Sequence, residues 1–288
     1  MAANVNADAF IPQIWDAQIV RTLEDNLFAR KVCKAVPAIR AKGAGDTVHF
    51  NGLADPTVAD YTGSITYEAL VSSQVDLLID QQKAYAFKVT DIEDAMANVD
   101  LKGSQAMRAA YQLQKAVDTY IFGTATSPAV ADAGHTLTAD TSVDSATILS
   151  DISGFSRVLE EQNVMGGDKW ILVPPWVKEK LQLAGVKFSI NEGINGTGGM
   201  AWANYLDMDI YVTNNLYNSG TAAAPVTTVL AGSYNAIVYE DVLSKTRAME
   251  LESSFDMGLS GLLVFGAKVI KPNELVKRVM TYTAETAI

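Results

Sequence analysis

LLIDQQKAYAFKVTDIEDAMANVDLKGSQAMRAAYQLQKAVDTYIFG, residues 77–123, sets the frame for the rest of the chain. Tyr85, Phe87 and Val89 alternate with Ala86 and Lys88, the two-residue period of a half-buried strand. Thr90 and Asp91 are suited to cap a short helical turn carrying Ile92, Ala95, Met96 and Val99. Asp100 then caps a longer run in which Met107, Ala110, Tyr111, Val117, Tyr120 and Ile121 recur at helical spacing. This predicts a helix over Leu101–Phe122, about 33 Å long at about 1.5 Å per residue. Gly123 is expected to stop it as a left-handed residue. The helix is fed by a strand and carries no chemistry on its face, so it reads as a scaffold beam.

Upstream, the segment from Gly43 to Asp80 has strand character. Asp46–Phe50 and Val75–Ile79 flank a middle section rich in turn formers: Asn51-Gly52, Asp55-Pro56 and Tyr61-Thr62-Gly63-Ser64. This is a long two-stranded excursion with little apolar content. An isolated hairpin is marginal in water, so it needs support from elsewhere. Earlier still, Phe10 to Lys34 reads as an extended lead-in and then a helix, with Pro12 near its start. Ile14, Trp15, Ile19, Leu23 and Leu27 give that helix an apolar stripe, expected to be buried on something.

Downstream, residues 124–145 lack periodicity and read as a junction. Ile148, Ile152, Phe155 and Leu159 mark an amphipathic helix closed by Gly166-Gly167, and Lys169–Val173 a buried strand. Pro174-Pro175 starts a short helix to Ala184. Ile210–Thr213 and Val226–Ala231 read as strands separated by an exposed loop, Asn214–Ala224. The near-strict alternation from Met249 to Met257 predicts one half-solvated strand, and Leu262–Ile270 and Leu275–Tyr282 complete a C-terminal sheet. Helices and strands are segregated, so the fold class is α+β.

The chain has 288 residues, 49% hydrophobic, enough for a sizeable core in one or two domains. Its net charge of −11 argues against a general nucleic-acid binder. The charge is uneven: residues 1–42 sum to +2 and the remainder to −13. A basic arm suits an acidic body of another copy; an ordinary basic helix end at Arg30–Lys34 accounts for the charge equally well. Cys33 is the one cysteine, which excludes an intrachain disulfide and a cysteine-based zinc site. MAANVNADAF lacks the basic and apolar regions of a signal peptide, and the apolar run Leu262–Ala267 is too short to span a bilayer.

Candidates for chemistry are few. His49 alternates in a strand and His135 sits in the junction, neither with a second histidine at helical spacing, so both read as structural. No GxSxG elbow is present. The loop Gly193–Gly199 is glycine-rich but lacks the Gly-Lys-Ser/Thr ending of a phosphate loop, and reads as a surface loop. Asp91, Glu93 and Asp94 complement a helix start rather than forming a metal site. No catalytic, cofactor-binding or metal-binding residue is expected, and no cofactor.

Several stretches in fixed order carry a resemblance to a known family. They are FIPQIW (residues 10–15), Gly45-Asp46-Thr47-Val48, ITYEAL (residues 65–70), LIDQQKAYAFKVTDI (residues 78–92) and the run Asp100–Gly123. The chain resembles the major capsid proteins of tailed bacteriophages with the Hong Kong 97-type fold, closely over about residues 10–125 and in element order beyond.

The resemblance implies an N-terminal arm (residues 1–42) and an extended hairpin, the E-loop (residues 43–80). It implies a peripheral domain built on a spine helix (residues 81–124 and 240–288) and an axial domain (residues 125–239). Subunits would associate through pentamers and hexamers into an icosahedral head enclosing double-stranded DNA. Contacts between copies are expected at Ile14 and Trp15 of the arm and at Tyr61, Ile65, Tyr67 and Glu68 of the E-loop. A scaffolding protein, a portal and a decoration protein are the further partners it admits. Packaged DNA is expected to be held without sequence-specific binding, and no membrane is involved. The location implied is the virion capsid, assembled in the host cytoplasm. A start at Met1 leaves no room for a long processed scaffolding segment, so a separate scaffold or none is expected. Two other readings stand beside this one: an encapsulin-type nanocompartment shell, which shares the fold, and a soluble α+β enzyme.

Overall fold

A computed structural model of the chain describes residues 27–35, 47–53, 72–90, 101–123, 133–164, 168–185, 203–250 and 256–284, with Val58, Asp60, Gly63, Tyr67 and Ala69 between them. The first described element is a single helical turn, α1 (Ala29–Val32), which passes through Cys33 into a two-residue strand, β1 (Lys34–Ala35). Lys34 is therefore already extended rather than helical, because β1 pairs in parallel with a later strand. The predicted helix upstream of Leu27, and its apolar stripe, lie outside the described residues.

β2 (Thr47–Leu53) and β3 (Ser72–Leu78) pair antiparallel over their full length, from Thr47 opposite Leu78 to Leu53 opposite Ser72. They form a two-stranded sheet by themselves. β4 (Gln81–Thr90) follows at once. Its Tyr85, Phe87 and Val89 are half-buried or buried while Ala84, Ala86 and Lys88 are exposed, as the alternation predicts. The spine helix, α2, spans Leu101–Phe122, the predicted bounds. Gly123 does not take the left-handed conformation expected of it. What glycine permits there is close approach: a Cβ would lie 2.8 Å from the Asn215 carbonyl oxygen. The caps predicted at Thr90, Asp91 and Asp100 fall largely on residues 91–100, outside the described residues.

The next part of the chain builds a seven-stranded sheet flanked by two helices. Short strands β5 (His135–Thr136) and β6 (Asp140–Val143) lead into α3 (Ile148–Glu161). That helix ends five residues before the predicted glycines, with Asn163 taking φ of 61°. β7 (Lys169–Val173) and α4 (Pro175–Leu183, with Pro174 preceding it) match the sequence reading closely. β8 (Ala203–Tyr205), β9 (Met208–Val212) and β10 (Val226–Ser233) follow. β7 and β9 are parallel, with α4 in the connection between them, a local βαβ unit within an otherwise segregated fold. The connection from Asn214 is not wholly exposed, since Asn215 and Leu216 are buried against the spine-helix end.

β11 (Ile237–Glu250) and β12 (Asp256–Val269) form a long antiparallel ladder ending at Glu250 opposite Met257. The single strand predicted over Met249–Met257 is thus two strands running in opposite directions. Because Glu250 stands opposite Met257, those two residues share one face and Met249 lies on the other, so the one-sided apolar stripe expected over Met249–Met257 is not formed. β12 pairs with β4, and β13 (Leu275–Tyr282) inserts beside β10. The smaller sheet runs β1-β11-β12-β4 and the larger runs β5-β13-β10-β7-β9-β8, with β6 also on β13. Residues 240–288, assigned by sequence to one domain, therefore supply β12 to one sheet and β13 to the other.

The larger sheet separates two cores. Trp170 and Leu172 of β7, Leu230 of β10 and Leu275 of β13 face the spine helix (Val117, Ile121, Phe122), α1 and the smaller sheet. Ile171, Val173, Val229 and Val276 face α3 and α4, meeting Ile152, Phe155, Leu159, Val177 and Leu181. Burial on both sides explains why KWILV reads as a continuous apolar run instead of an alternating one.

Candidate functional site

Several interior polar groups are paired in ways that hold elements together. Lys169 Nζ donates to Glu160 at 2.8 Å, and Ser156 donates to the same carboxylate at 2.9 Å, fixing β7 to α3. Lys180 Nζ donates to the Thr283 carbonyl at 2.7 Å and lies 4.7 Å from the Tyr282 ring centre. Arg278 reaches the Thr138 carbonyl at 2.9 Å and Asp151 at 2.8 Å, with Asp140 3.7 Å away. Burial pushes Asp151 up to about 6, against the pull of Arg278. Tyr234 donates to Asp209 at 2.9 Å, with Tyr211 and Tyr234 hydroxyls 2.9 Å apart.

His49 stands directly opposite Asp76 in the hairpin, its Nδ1 2.7 Å from the carboxylate, and Gln74 donates to the same oxygen. These bonds hold Asp76 below the usual carboxylate range. His135 is half-buried, and its Nε2, turned away from solvent, has no hydrogen-bond partner. Among the described residues no group of three or more metal-ligating side chains converges. The glycine-rich loop over residues 193–199 and the acidic group Asp91, Glu93 and Asp94 lie outside them.

One interior contact was not legible beforehand. Asp118, on the spine helix and 2% exposed, accepts hydrogen bonds from the backbone N–H of Phe28 at 2.9 Å and of Ala29 at 3.1 Å. It caps α1 across 90 residues of sequence. An aspartate within VDTYIF offers one signal, a polar residue between buried apolar ones. Its partner is set by tertiary packing.

The surfaces are more informative than the interior. At the far end of the β2/β3 hairpin, Val58 is 95% and Tyr67 91% exposed. At its root, Leu77 and Ile79 are buried while Leu78 points outward. The root is pinned by close approach: a Cβ on Gly266 of β12 would lie 2.3 Å from the Leu78 carbonyl oxygen. A second surface lies on the smaller sheet. Ala84, Ala86, Gly258 and Ser260 form a trough of small residues, open to solvent and bordered by Lys88, Arg247 and Met249. Of the contact residues expected from sequence, Tyr67 is described and is free of the subunit's own core. Ile14, Trp15, Tyr61, Ile65 and Glu68 lie outside the described residues.

Comparison with known proteins agrees with this arrangement. The family model described as phage capsid protein matches residues 74–277, well over half of the chain. A structure titled Mycobacterium phage Che8 matches with a TM-score of 0.75 at 23% identity, over 93% of this chain and 97% of that one. The capsid of Ralstonia phage GP4 matches with a TM-score of 0.70 at 12% identity, over 100% of both chains. Gordonia phage Cozz gives a TM-score of 0.67 at 15% identity, over 99% of this chain and 96% of that one. A search of curated proteins finds no match. The structural likenesses carry the Hong Kong 97-type fold expected from sequence, and neither the nanocompartment nor the enzyme reading is favoured. The chain belongs to the phage capsid protein family, as a major capsid protein that self-associates into the shell of the phage head and not as an enzyme.

Proposed function

We propose that copies of the chain associate through pentamers and hexamers into an icosahedral head around double-stranded DNA, in the host cytoplasm. The observation that carries this reading is the β2/β3 hairpin. It keeps a full antiparallel ladder with no core of its own and presents Val58 and Tyr67 to solvent. Apolar side chains held away from their own subunit are suited to bury against a neighbour. Contacts that join different patches on successive copies close into rings when the rotation allows, and rings then tile a shell. The trough on β4 and β12 has the form to receive such side chains. Ile14, Trp15, Tyr61, Ile65, Tyr67 and Glu68 are the contact residues we assign to this association.

The domain division follows the same reading. Residues 1–42 form the arm, 43–80 the E-loop, 81–124 with 240–288 the peripheral domain and 125–239 the axial domain. Strand pairing supports drawing β13 toward the axial sheet. A separate scaffolding protein, a portal and a decoration protein are partners consistent with this role. The acidic body, with −13 outside the first 42 residues, supports weak and sequence-independent contact with packaged DNA.

Negative-stain microscopy of the purified protein tests the reading. Rings or closed shells of identical capsomers are expected, and a dispersed monomer at high concentration would count against it.

A further inference from the structure

The start of the described chain is fastened to the spine helix at one buried point. Asp118 accepts the N–H groups of Phe28 and Ala29, donors at a helix start that no carbonyl within α1 can satisfy. The packing around that point is tight. The Phe28 ring lies 5.0 Å from that of Tyr211, and Val32 and Cys33 are buried. β1 then pairs with β11, Lys34 opposite Val238 and Ala35 opposite Tyr239. Beside the carboxyl group is a small cavity of about 60 Å³, lined by Leu27, Arg30, Gln114, Asp118 and Tyr239 among others. That is room for a few water molecules. The carboxyl group is therefore out of bulk water yet within reach of a proton.

We propose that Asp118 is a proton-dependent latch: it fastens residues 27–35, the root of the N-terminal segment, to the spine helix more firmly when protonated than when ionised. With the latch closed, burial pushes the Asp118 carboxyl up to about 6 from its ordinary 3.8. The Phe28 and Ala29 amides, and more weakly Asn215, oppose that push without cancelling it. With the latch open, the carboxyl group returns to water and to its ordinary value. Between pH of about 4 and 6 the closed form thus holds a proton that the open form has lost. Stability of the closed form is fully present below the ordinary value and declines as pH rises through about 6. A difference of about two pH units corresponds to about a hundredfold in the closing equilibrium.

The neighbouring titratable groups do not supply this dependence. Burial and the adjacent Asp118 push the Cys33 thiol far up, and burial pushes Tyr239 up to about 12, so both stay neutral over the range. Arg30, at the rim, pairs with Asp241 at 3.6 Å. The latch stands on contacts within one subunit. Its consequence for an arm that reaches other copies rests on the assembly reading above.

Amide hydrogen exchange of the full-length protein, read on peptides covering residues 27–35 from pH 4.5 to 7.5 and corrected for intrinsic rates, tests the proposal. Opening is expected to increase about 25-fold between pH 4.5 and 7.5, most of it below about pH 6.5, while peptides of β12 around Leu263–Phe265 change little. Asp118→Asn should flatten the profile, and Asp118→Ala should lose protection at every pH. A flat wild-type profile, or an Asp118→Asn profile that follows the wild type, overturns the latch. Should neither variant fold, the wild-type profile alone decides. Shell formation in micrographs is a separate readout, so failure of the assembly reading and failure of the latch are distinguishable.

Discussion

The larger sheet and the β2/β3 hairpin are both well-paired β-structure, and they differ in what lies beside the ladder. In the larger sheet all five residues of β7 are buried, with α3 and α4 on one face and the spine helix on the other. In the hairpin, seven residues of each strand pair in register, yet among the residues whose burial is described full burial is confined to Leu77 and Ile79 at the root. Backbone hydrogen bonding is similar in kind, so it does not explain the difference. Side-chain burial does: it is the main favourable term in folding, and a two-stranded ribbon without it is marginal. One region is complete within the subunit, and the other has the form of a part finished by contact with a second chain.

Three variants set the two regions against each other. Phe155→Ala removes a fully buried ring from the core beneath α3 and should cost about 3–5 kcal/mol, measured by urea denaturation. A loss below about 1 kcal/mol would mean that this core is not sealed. Gly266→Val places a side chain against the Leu78 carbonyl and should cost about 1–3 kcal/mol through overpacking. Its signature is local: faster proteolysis across residues 47–78 with the fluorescence of buried Trp170 unchanged. Uniform destabilisation would show that the hairpin root is not hinged there. Tyr67→Asp combined with Val58→Asp should shift subunit stability by no more than about 0.5 kcal/mol, because neither side chain touches the subunit's core. The same pair should abolish or greatly reduce shell formation by light scattering, and normal shells would remove the hairpin tip from the contact surface.

Much of the architecture was legible in the sequence where a single element buries a regular pattern. Leu101–Phe122, Lys169–Val173 and Leu275–Tyr282 have the predicted bounds: the helix repeats its apolar residues at helical spacing, and the strands are short apolar-rich runs flanked by turn-forming residues. Misreadings arose where a pattern was shared by two elements or depended on distant residues. Met249 to Met257 alternates through a reversal that has no glycine or proline to mark it. β11 went unread along most of its length, since Glu240, Asp241, Lys245 and Arg247 interrupt its apolar run. Asp118 looked like one more polar residue on a helix; its partners stand 89 and 90 positions away. The surface was legible to a lesser degree. Low apolar content marked the hairpin as unsupported, and the structure describes Tyr67 alone of the six contact residues.

The position of β13 ties the fold to the order of synthesis. It is the last strand made of those described, yet it sits inside the larger sheet, between β10 and the short strands β5 and β6. Until residue 282 has left the ribosome, β10 keeps one open edge, and Leu275, Val276 and Met280 are missing from both cores. A nascent chain therefore cannot close the larger sheet until that strand arrives. Exposed apolar surface and an unpaired edge invite wrong pairing with other chains while synthesis continues. Closing the sheet with a late strand makes a finished subunit differ sharply from an unfinished one.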